Sequence, residues 1–266
     1  MKNSLKFSRK IFLKKLEKIS NNFYHELDRY IANPNDESIH DIRVSIRRLE
    51  SAYRILPKEI REQKKNKYYL KNIKTLFKSN AAIRDYDIIC ANLESKYRSE
   101  TEDLVSSLKV LRNKQLENAK QLALETSDLL IPEISRSILK KSKLKDRYSK
   151  IIDETILDIQ KNTIIVFSDE KKIDELHALR KDFKKLRYSL ELASNKKTTK
   201  ILENLKNIQD MLGEIHDSDI FIDYFKNTKQ DSRYSNIIKD EIRERSKKYT
   251  KFVSAMKKSK NITFEL

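Results

Sequence analysis

Two segments far apart in the chain carry the same arrangement of basic residues. The first runs from His40 to Leu49 (HDIRVSIRRL) and the second from His177 to Leu186 (HALRKDFKKL), so that position 40 corresponds to position 177. Arginine can fork two hydrogen bonds onto phosphate oxygens, and lysine adds a mobile positive charge. The pattern therefore predicts that both segments bind anions, and the internal repeat predicts that the chain folds as two similar halves.

Helical geometry would place these basic residues along one edge of each segment. With about 100° per residue, they fall within about 60° of the histidine, beside an apolar sector about 100° wide. The first basic strip is His40, Arg43, Arg47 and Arg54. The second basic strip is His177, Arg180, Lys184 and Arg187.

The elements that must carry the strips are predicted to be helices. A single glycine and three prolines leave few residues for hairpin turns, so we expect an all-α fold. Apolar periodicity and cap residues predict helices over 5–31, from Pro34 to before Pro57, 58–79, from Arg84 onward, 100–127, 133–163, from a Ser168–Glu170 cap to 194, 197–212 and 231–258. Gly213, the only glycine, is expected to end the helix before it.

A second pair of matching segments lies downstream of each basic segment. Residues 83–88 (IRDYDI) match residues 215–220 (IHDSDI), so that position 85 corresponds to position 217, and His216 stands where the first half has Arg84. We expect the shared aspartates to be structural supports and not catalytic groups or metal ligands. Asp85 and Asp217 are expected at helix starts or in salt bridges with the motif arginines. The shared aspartates are Asp85, Asp87, Asp217 and Asp219.

The charge balance predicts a polyanionic partner. Lys plus Arg number 58 against 40 Asp plus Glu, a net charge of +18, which attracts nucleic acid, inorganic polyphosphate or an anionic membrane. A lysine-rich proteome could also give a basic surface without any partner.

The lone Cys90 allows no internal disulfide and no zinc cluster. The N-terminus lacks the apolar run of a signal peptide, so we expect a cytoplasmic protein without cofactor, metal or membrane insertion.

The paired motifs resemble those of the CHAD family, the conserved histidine α-helical domain. They read HxxRxxxRRL with a downstream RDxD in the first half, and HxxRxxxKKLRY with a downstream LGxxxDxD in the second. The resemblance covers the whole chain, 1–266, as a single domain. It implies two antiparallel four-helix bundles, 1–130 and 131–266, related by pseudo-twofold symmetry, with a basic groove or pore that binds inorganic polyphosphate, and an association with polyphosphate granules.

The resemblance also implies which residues contact the ligand. By motif position these are His40, Arg43, Arg47 and Arg48 in the first half and His177, Arg180, Lys184, Lys185 and Arg187 in the second, with Tyr188 at the flank. The pattern of basic residues adds Arg54, Lys74 and Lys78. The first half departs at Glu50, where the second has Arg187, so we expect weaker binding there.

Two questions stay open at the level of the sequence. The histidines could be neutral hydrogen-bonding groups, metal ligands or phosphorylation sites, of which we favour the first, and nearby cations should disfavour their imidazolium form in the empty protein. The rival functions are nucleic-acid binding, a phosphate-metabolising enzyme, and a membrane-surface or protein contact. The chain has no Trp, no zinc finger, no P-loop and no ExExK motif near its N-terminus, so a non-catalytic polyphosphate-binding protein is the favoured reading.

Overall fold

The computed structural model describes residues 7–134, 138–193, 199–228 and 233–258, where the regular secondary structure is entirely helical. The helices are α1 (Arg9–Ala32), α2 (Asp36–Ile55), α3 (Lys58–Arg61), α4 (Lys64–Lys96), α5 (Arg98–Ser127), α6 (Lys141–Ser168), α7 (Ile173–Ala193), α8 (Thr199–Asn227) and α9 (Ser235–Lys258). The all-α prediction is confirmed. None of these helices combines the length and apolar character that crossing a membrane requires.

The helix that carries the first strip has well-defined ends. Asn35 caps α2, because its side chain accepts a hydrogen bond from the backbone N–H of Ser38 at 2.8 Å, and the acidic Asp36 and Glu37 in the first turn complement the helix dipole. The helix ends before Leu56, since the residue preceding Pro57 is sterically disfavoured in helical conformation. These ends fix which face of α2 is buried.

Residues 7–149 form one compact unit. In it α1 packs on α2, α2 on α4, α4 on α5 and α5 on α1, and the short links between successive helices make neighbours antiparallel. The core is filled by fully buried side chains of these helices, among them Phe12, Phe23, Tyr30, Ile42, Ile46, Leu49, Ile73 and Leu76. This unit is the first of the two predicted four-helix bundles.

The chain from Lys150 onward belongs to a second compact unit. Here α7 packs on α8 and α8 on α9. α6 joins α7 through a hydrogen bond from Asn162 Nδ2 to Asp182 Oδ2 at 3.1 Å, and it joins α9 through one from Tyr249 Oη to the carbonyl of Val166 at 2.6 Å. Two antiparallel four-helix bundles are thus confirmed. The sequence-derived halves, 1–130 and 131–266, and their pseudo-twofold symmetry stay predictions.

Two predicted helix breaks are wrong. α4 is continuous through 79–84, where a break was expected, because the polar Asn80 is satisfied inside the bundle. Its side chain accepts from Tyr30 Oη at 2.9 Å and donates to the carbonyl of Leu76 at 2.9 Å. α8 likewise continues through Gly213, since one glycine costs a helix only about 1 kcal/mol and neighbouring packing outweighs it.

The predicted helix start at Ser168 is also wrong. Ser168 is the last residue of α6, and the Asp169 carboxylate accepts from the backbone N–H of Lys171 at 2.9 Å. That contact forms a turn before α7 begins at Ile173. The preceding helix, expected from residue 133, begins at Lys141. The predicted starts of three other helices, at 5, 197 and 231, lie outside the described residues, as does the predicted end of the motif helix at 194.

Candidate anion-binding strips

The first basic strip lies on the side of α2 that faces α4, and Phe77 supports two of its arginines. Arg43 Nη1 donates to the carbonyl oxygen of Phe77 at 2.9 Å. The guanidinium carbon of Arg43 lies 4.3 Å from the centre of the Phe77 ring, and that of Arg47 lies 5.8 Å from it. Both arginines therefore gain cation–π attraction while remaining partly exposed. Phe77 was not among the predicted site residues, since one aromatic residue in a helical pattern is indistinguishable from a core residue.

The histidine of the first strip lies at its solvent-exposed end. Partial burial lowers the pKa of His40, and the charges of Arg84 and Arg47 lower it further, as expected for a histidine beside cations. Arg84 itself forms an ion pair with Asp36 in the first turn of α2. This ion pair joins residues 83–88 of α4, the segment that is matched by 215–220, to the start of α2.

The other end of the first strip contains an acidic residue. Glu50 is half-buried, and its Oε1 lies 3.9 Å from Lys74 Nζ. Burial raises the pKa of Glu50, against the opposing effect of Lys74, Arg54 and Arg47. A carboxylate among these cations offsets part of their charge. Of the other predicted residues, Arg48 and Arg54 are half-buried on α2, and Lys78 is exposed on α4.

The second basic strip brings two histidines, an aspartate and a buried arginine together. His177 Nε2 lies 3.2 Å from Asp219 Oδ2 and 2.9 Å from His216 Nδ1. Asp219 also forms an ion pair with Arg245 of α9. Burial lowers the pKa of His216 to about 3, with contributions from the charges of Arg180, His177 and Lys184. Arg180 and Lys184 therefore lie close to His216, although they belong to α7 and it belongs to α8.

The far end of the second strip is held by hydrogen bonds. Arg187 Nη1 donates to Gln209 Oε1 at 2.9 Å, and Gln209 Nε2 donates to the carbonyl of Phe183 at 2.8 Å. Arg187 also pairs with Glu191 at 3.2 Å and lies 5.5 Å from the ring centre of the buried Tyr188. When Asp85 is aligned with Asp217, Phe77 corresponds to Gln209, so the same repeat position supports arginines in both bundles. Lys185 Nζ lies 3.8 Å from Asp158 Oδ2.

The last aspartate of each matching segment pairs with an arginine that was not among the predicted site residues. Asp87 Oδ1 accepts from Arg112 Nε at 2.5 Å, and Asp219 pairs with Arg245. The alignment that matches Asp87 to Asp219 places Arg112 opposite Glu244, the residue next to Arg245. The sequence therefore contains a signal for this pair, because the two arginines lie within one residue of corresponding positions. Neither arginine belongs to a motif.

The two pairs differ electrostatically. Burial raises the pKa of Asp87, although Arg112 opposes the rise. Burial also favours a higher pKa for Asp219, but hydrogen bonds from His177 and Arg245 hold it below its usual range. Asp85 and Asp217 lie within α4 and α8, so a helix-start role is wrong for both. Within the described residues, no three or more His, Cys, Asp or Glu side chains are arranged to hold a metal ion.

A cleft of about 600 Å³ adjoins the second strip at His177, Asp219 and Arg245. Isoleucines line part of it. The other charged residues along it carry both signs, namely Glu170, Lys171, Asp174, Asp223 and Lys226. The strip has the higher density of positive charge, so the strip is the better candidate for binding phosphate.

Comparison with known proteins identifies the fold. A sequence profile of the CHAD domain matches residues 16–226. Among solved structures, the chain is similar to the crystal structure of the CHAD domain from the plant Ricinus communis, with a TM-score of 0.62 and 18% sequence identity, over 91% of this chain and 86% of that one. No curated protein matches the sequence.

Proposed function

Because the chain belongs to the CHAD domain family, we propose that it binds inorganic polyphosphate through its two basic strips, without catalysis. The observation that carries the proposal is the support of the motif arginines. Arg43 is oriented by a carbonyl oxygen and an aromatic ring, and it remains partly exposed.

A polyphosphate chain suits such a surface. It is flexible and carries about one negative charge per phosphate, so it needs a row of fixed cations more than a shaped pocket. Arginines already ordered lose less conformational entropy on binding. Arg43 and Arg47 supply this row on α2, and Arg180, Lys184 and Arg187 supply it on α7.

The absence of catalysis is part of the proposal. Asp87 and Asp219 are already engaged by Arg112 and Arg245, and an aspartate held by an arginine is a poor metal ligand and a poor general base. The role proposed is that of a cytoplasmic polyphosphate-binding protein, with polyphosphate granules as one location. Nucleic acid is the second candidate ligand, since any polyanion is attracted by a net charge of +18.

Calorimetric titration of long-chain polyphosphate into the purified protein at about 0.15 M salt tests the proposal, with double-stranded DNA as competitor. One variant removes two cations from the first strip (Arg43→Ala with Arg47→Ala), and another removes two from the second (Arg180→Ala with Lys184→Ala). A matched control removes two exposed lysines outside the strips, Lys114→Ala with Lys239→Ala, and so changes the net charge equally.

The expected result is binding that resists DNA and that weakens in each strip variant but not in the control. Equal loss in the control would mean that net charge alone explains the affinity. Preference for DNA would favour the nucleic-acid alternative. Release of phosphate from polyphosphate in the presence of Mg²⁺ would contradict the proposed lack of catalysis.

A further inference from the structure

We propose that His216 is a further phosphate-contacting residue of the second strip, donating a hydrogen bond from Nε2 to a bound phosphate oxygen. The inference rests on the proposed function and adds a contact that the repeated motif does not contain. His216 lies outside the motif helix α7, on α8.

The position of His216 is fixed by His177. The two imidazole rings meet edge to face, with centroids 4.4 Å apart and an interplanar angle of 89°, and His216 Nδ1 lies 2.9 Å from His177 Nε2. At that distance one of the two nitrogens donates a proton and the other accepts it.

Asp219 decides which nitrogen donates. Its Oδ2 lies 3.2 Å from the same His177 Nε2, and its other oxygen is bound to Arg245. A carboxylate paired with arginine is ionised and only accepts hydrogen bonds, so His177 Nε2 carries the proton. That proton is directed to both Asp219 and His216 Nδ1. His216 Nδ1 is therefore an acceptor, and the proton of neutral His216 lies on Nε2.

The Nε2 atom of His216 points away from His177, because the two ring nitrogens lie on different sides of the imidazole. It has no hydrogen-bond partner among the described residues, and it is not buried. Arg180 and Lys184 contribute positive charge around the ring. A neutral donor beside two cations suits a phosphate oxygen, since the cations supply attraction and the donor supplies direction.

The repeat provides an independent comparison. Arg84, the counterpart of His216 in the first half, is also a hydrogen-bond donor, but it is engaged by Asp36 at the start of α2. The second half therefore has a histidine with an outward donor where the first half has an arginine that pairs within the protein. A histidine that served only the core would be expected to have both ring nitrogens satisfied.

Two substitutions separate the donor from the contact to His177. In His216→Asn the amide oxygen occupies the place of Nδ1, so it can still accept from His177, but no donor remains at the place of Nε2. In His216→Gln the amide nitrogen reaches the place of Nε2 and keeps the outward donor. His25→Asn, at an exposed histidine outside both strips, is the matched control.

Titration of long-chain polyphosphate is expected to show about tenfold weaker binding for His216→Asn, corresponding to one hydrogen bond to a charged group. Near wild-type affinity is expected for His216→Gln and for His25→Asn. Nitrogen-15 NMR of the histidine rings gives a second readout. It should find His216 neutral with its proton on Nε2, and tripolyphosphate should shift that Nε2 resonance.

The outcomes distinguish this inference from the proposed function. If the wild-type protein binds no polyphosphate, the proposed function fails. If it binds and His216→Asn binds equally well, or the Nε2 resonance does not respond to tripolyphosphate, the role of His216 is wrong while the function stands. If His216→Asn is unfolded, His216→Gln and the NMR measurement on the wild type decide the question.

Discussion

Arg43 and Arg47 both lie against the ring of Phe77. Removing that ring should therefore weaken the proposed binding of polyphosphate through both side chains. Phe77→Leu keeps an apolar residue of similar size but removes the π face. We expect polyphosphate affinity to fall about two- to tenfold, because a cation–π contact is worth about 0.5–1 kcal/mol at exposed sites and more where it is desolvated. Calorimetric titration measures the change.

The control for Phe77→Leu is Phe167→Leu. Phe167 is half-buried and packs edge to face on Phe252, away from both strips. It should lower the free energy of unfolding and leave the affinity unchanged. If both variants bind polyphosphate as the wild type does, Phe77 has no part in positioning the arginines.

His216 should also make stability depend on pH. Its pKa is about 3 in the folded protein against about 6.5 when unfolded, so the unfolded chain binds more protons between these values. The stability due to neutral His216 is fully present above pH 6.5 and is lost as pH falls toward 3, by up to about 1.4 kcal/mol per pH unit. Urea unfolding between pH 7 and pH 4 should show a shallower loss for His216→Gln than for the wild type. Parallel curves would contradict the lowered pKa.

At the scale of the helices, the pair between Asp219 and Arg245 joins α8 to α9. Asp219→Asn would leave a buried guanidinium with reduced compensation. We expect a loss of about 3–5 kcal/mol in the free energy of unfolding, the usual effect of removing one partner of a buried ion pair. Asp240→Asn is the control, since Asp240 pairs with Arg243 on the surface of α9 and should cost less than about 1 kcal/mol. Similar losses in both variants, measured by urea unfolding, would show that burial of the pair is unimportant.

Gly213 gives a second prediction for a helix. It lies in the interior of α8, and a Cβ added there would meet nothing within 4 Å. Gly213→Ala should therefore stabilise the protein by about 0.5–1 kcal/mol, because alanine loses less backbone entropy in a helix. Thermal unfolding should show a higher Tm. A lower Tm would mean that glycine is needed at this position.

The helices were predictable where local signals decide their ends. Asn35 and Pro57 bound α2, and both act through neighbouring residues. The break expected near residue 80 was wrong because a partner distant in sequence decides there, and the one expected at Gly213 was wrong because a single glycine costs a helix only about 1 kcal/mol. Tyr30, which lies on α1 and far from Asn80 in the chain, satisfies an asparagine that would otherwise disfavour helix.

For the molecule as a whole, the main electrostatic fact is the net charge of +18. Like charges repel in the compact state, and a bound polyanion relieves that repulsion. Long-chain polyphosphate should raise the Tm markedly, because a ligand at about a hundred times its Kd adds about 2.7 kcal/mol to the free energy of unfolding. The rise should shrink between about 0.1 M and about 0.5 M salt. An unchanged Tm at low salt would argue against binding to the folded state.

The sequence was a good guide to the face that carries the strips and a poor guide to their supports. Helical periodicity alone put Arg43 and Arg47 on one edge of α2. Phe77, Arg112 and Arg245 were missed because each acts across helices, and helical periodicity does not report which residue of a neighbouring helix lies opposite. The repeat partly fills this gap, since a support found in one half can be sought at the corresponding position of the other.

The hydrogen bond from Arg43 to the carbonyl of Phe77 has an evolutionary consequence. A backbone carbonyl is present whatever residue occupies position 77, so mutation there removes the ring but not the acceptor. At the aligned position of the other half, the side chain of Gln209 itself accepts from Arg187. Related sequences should accordingly vary more at position 77 than at the arginines that it supports.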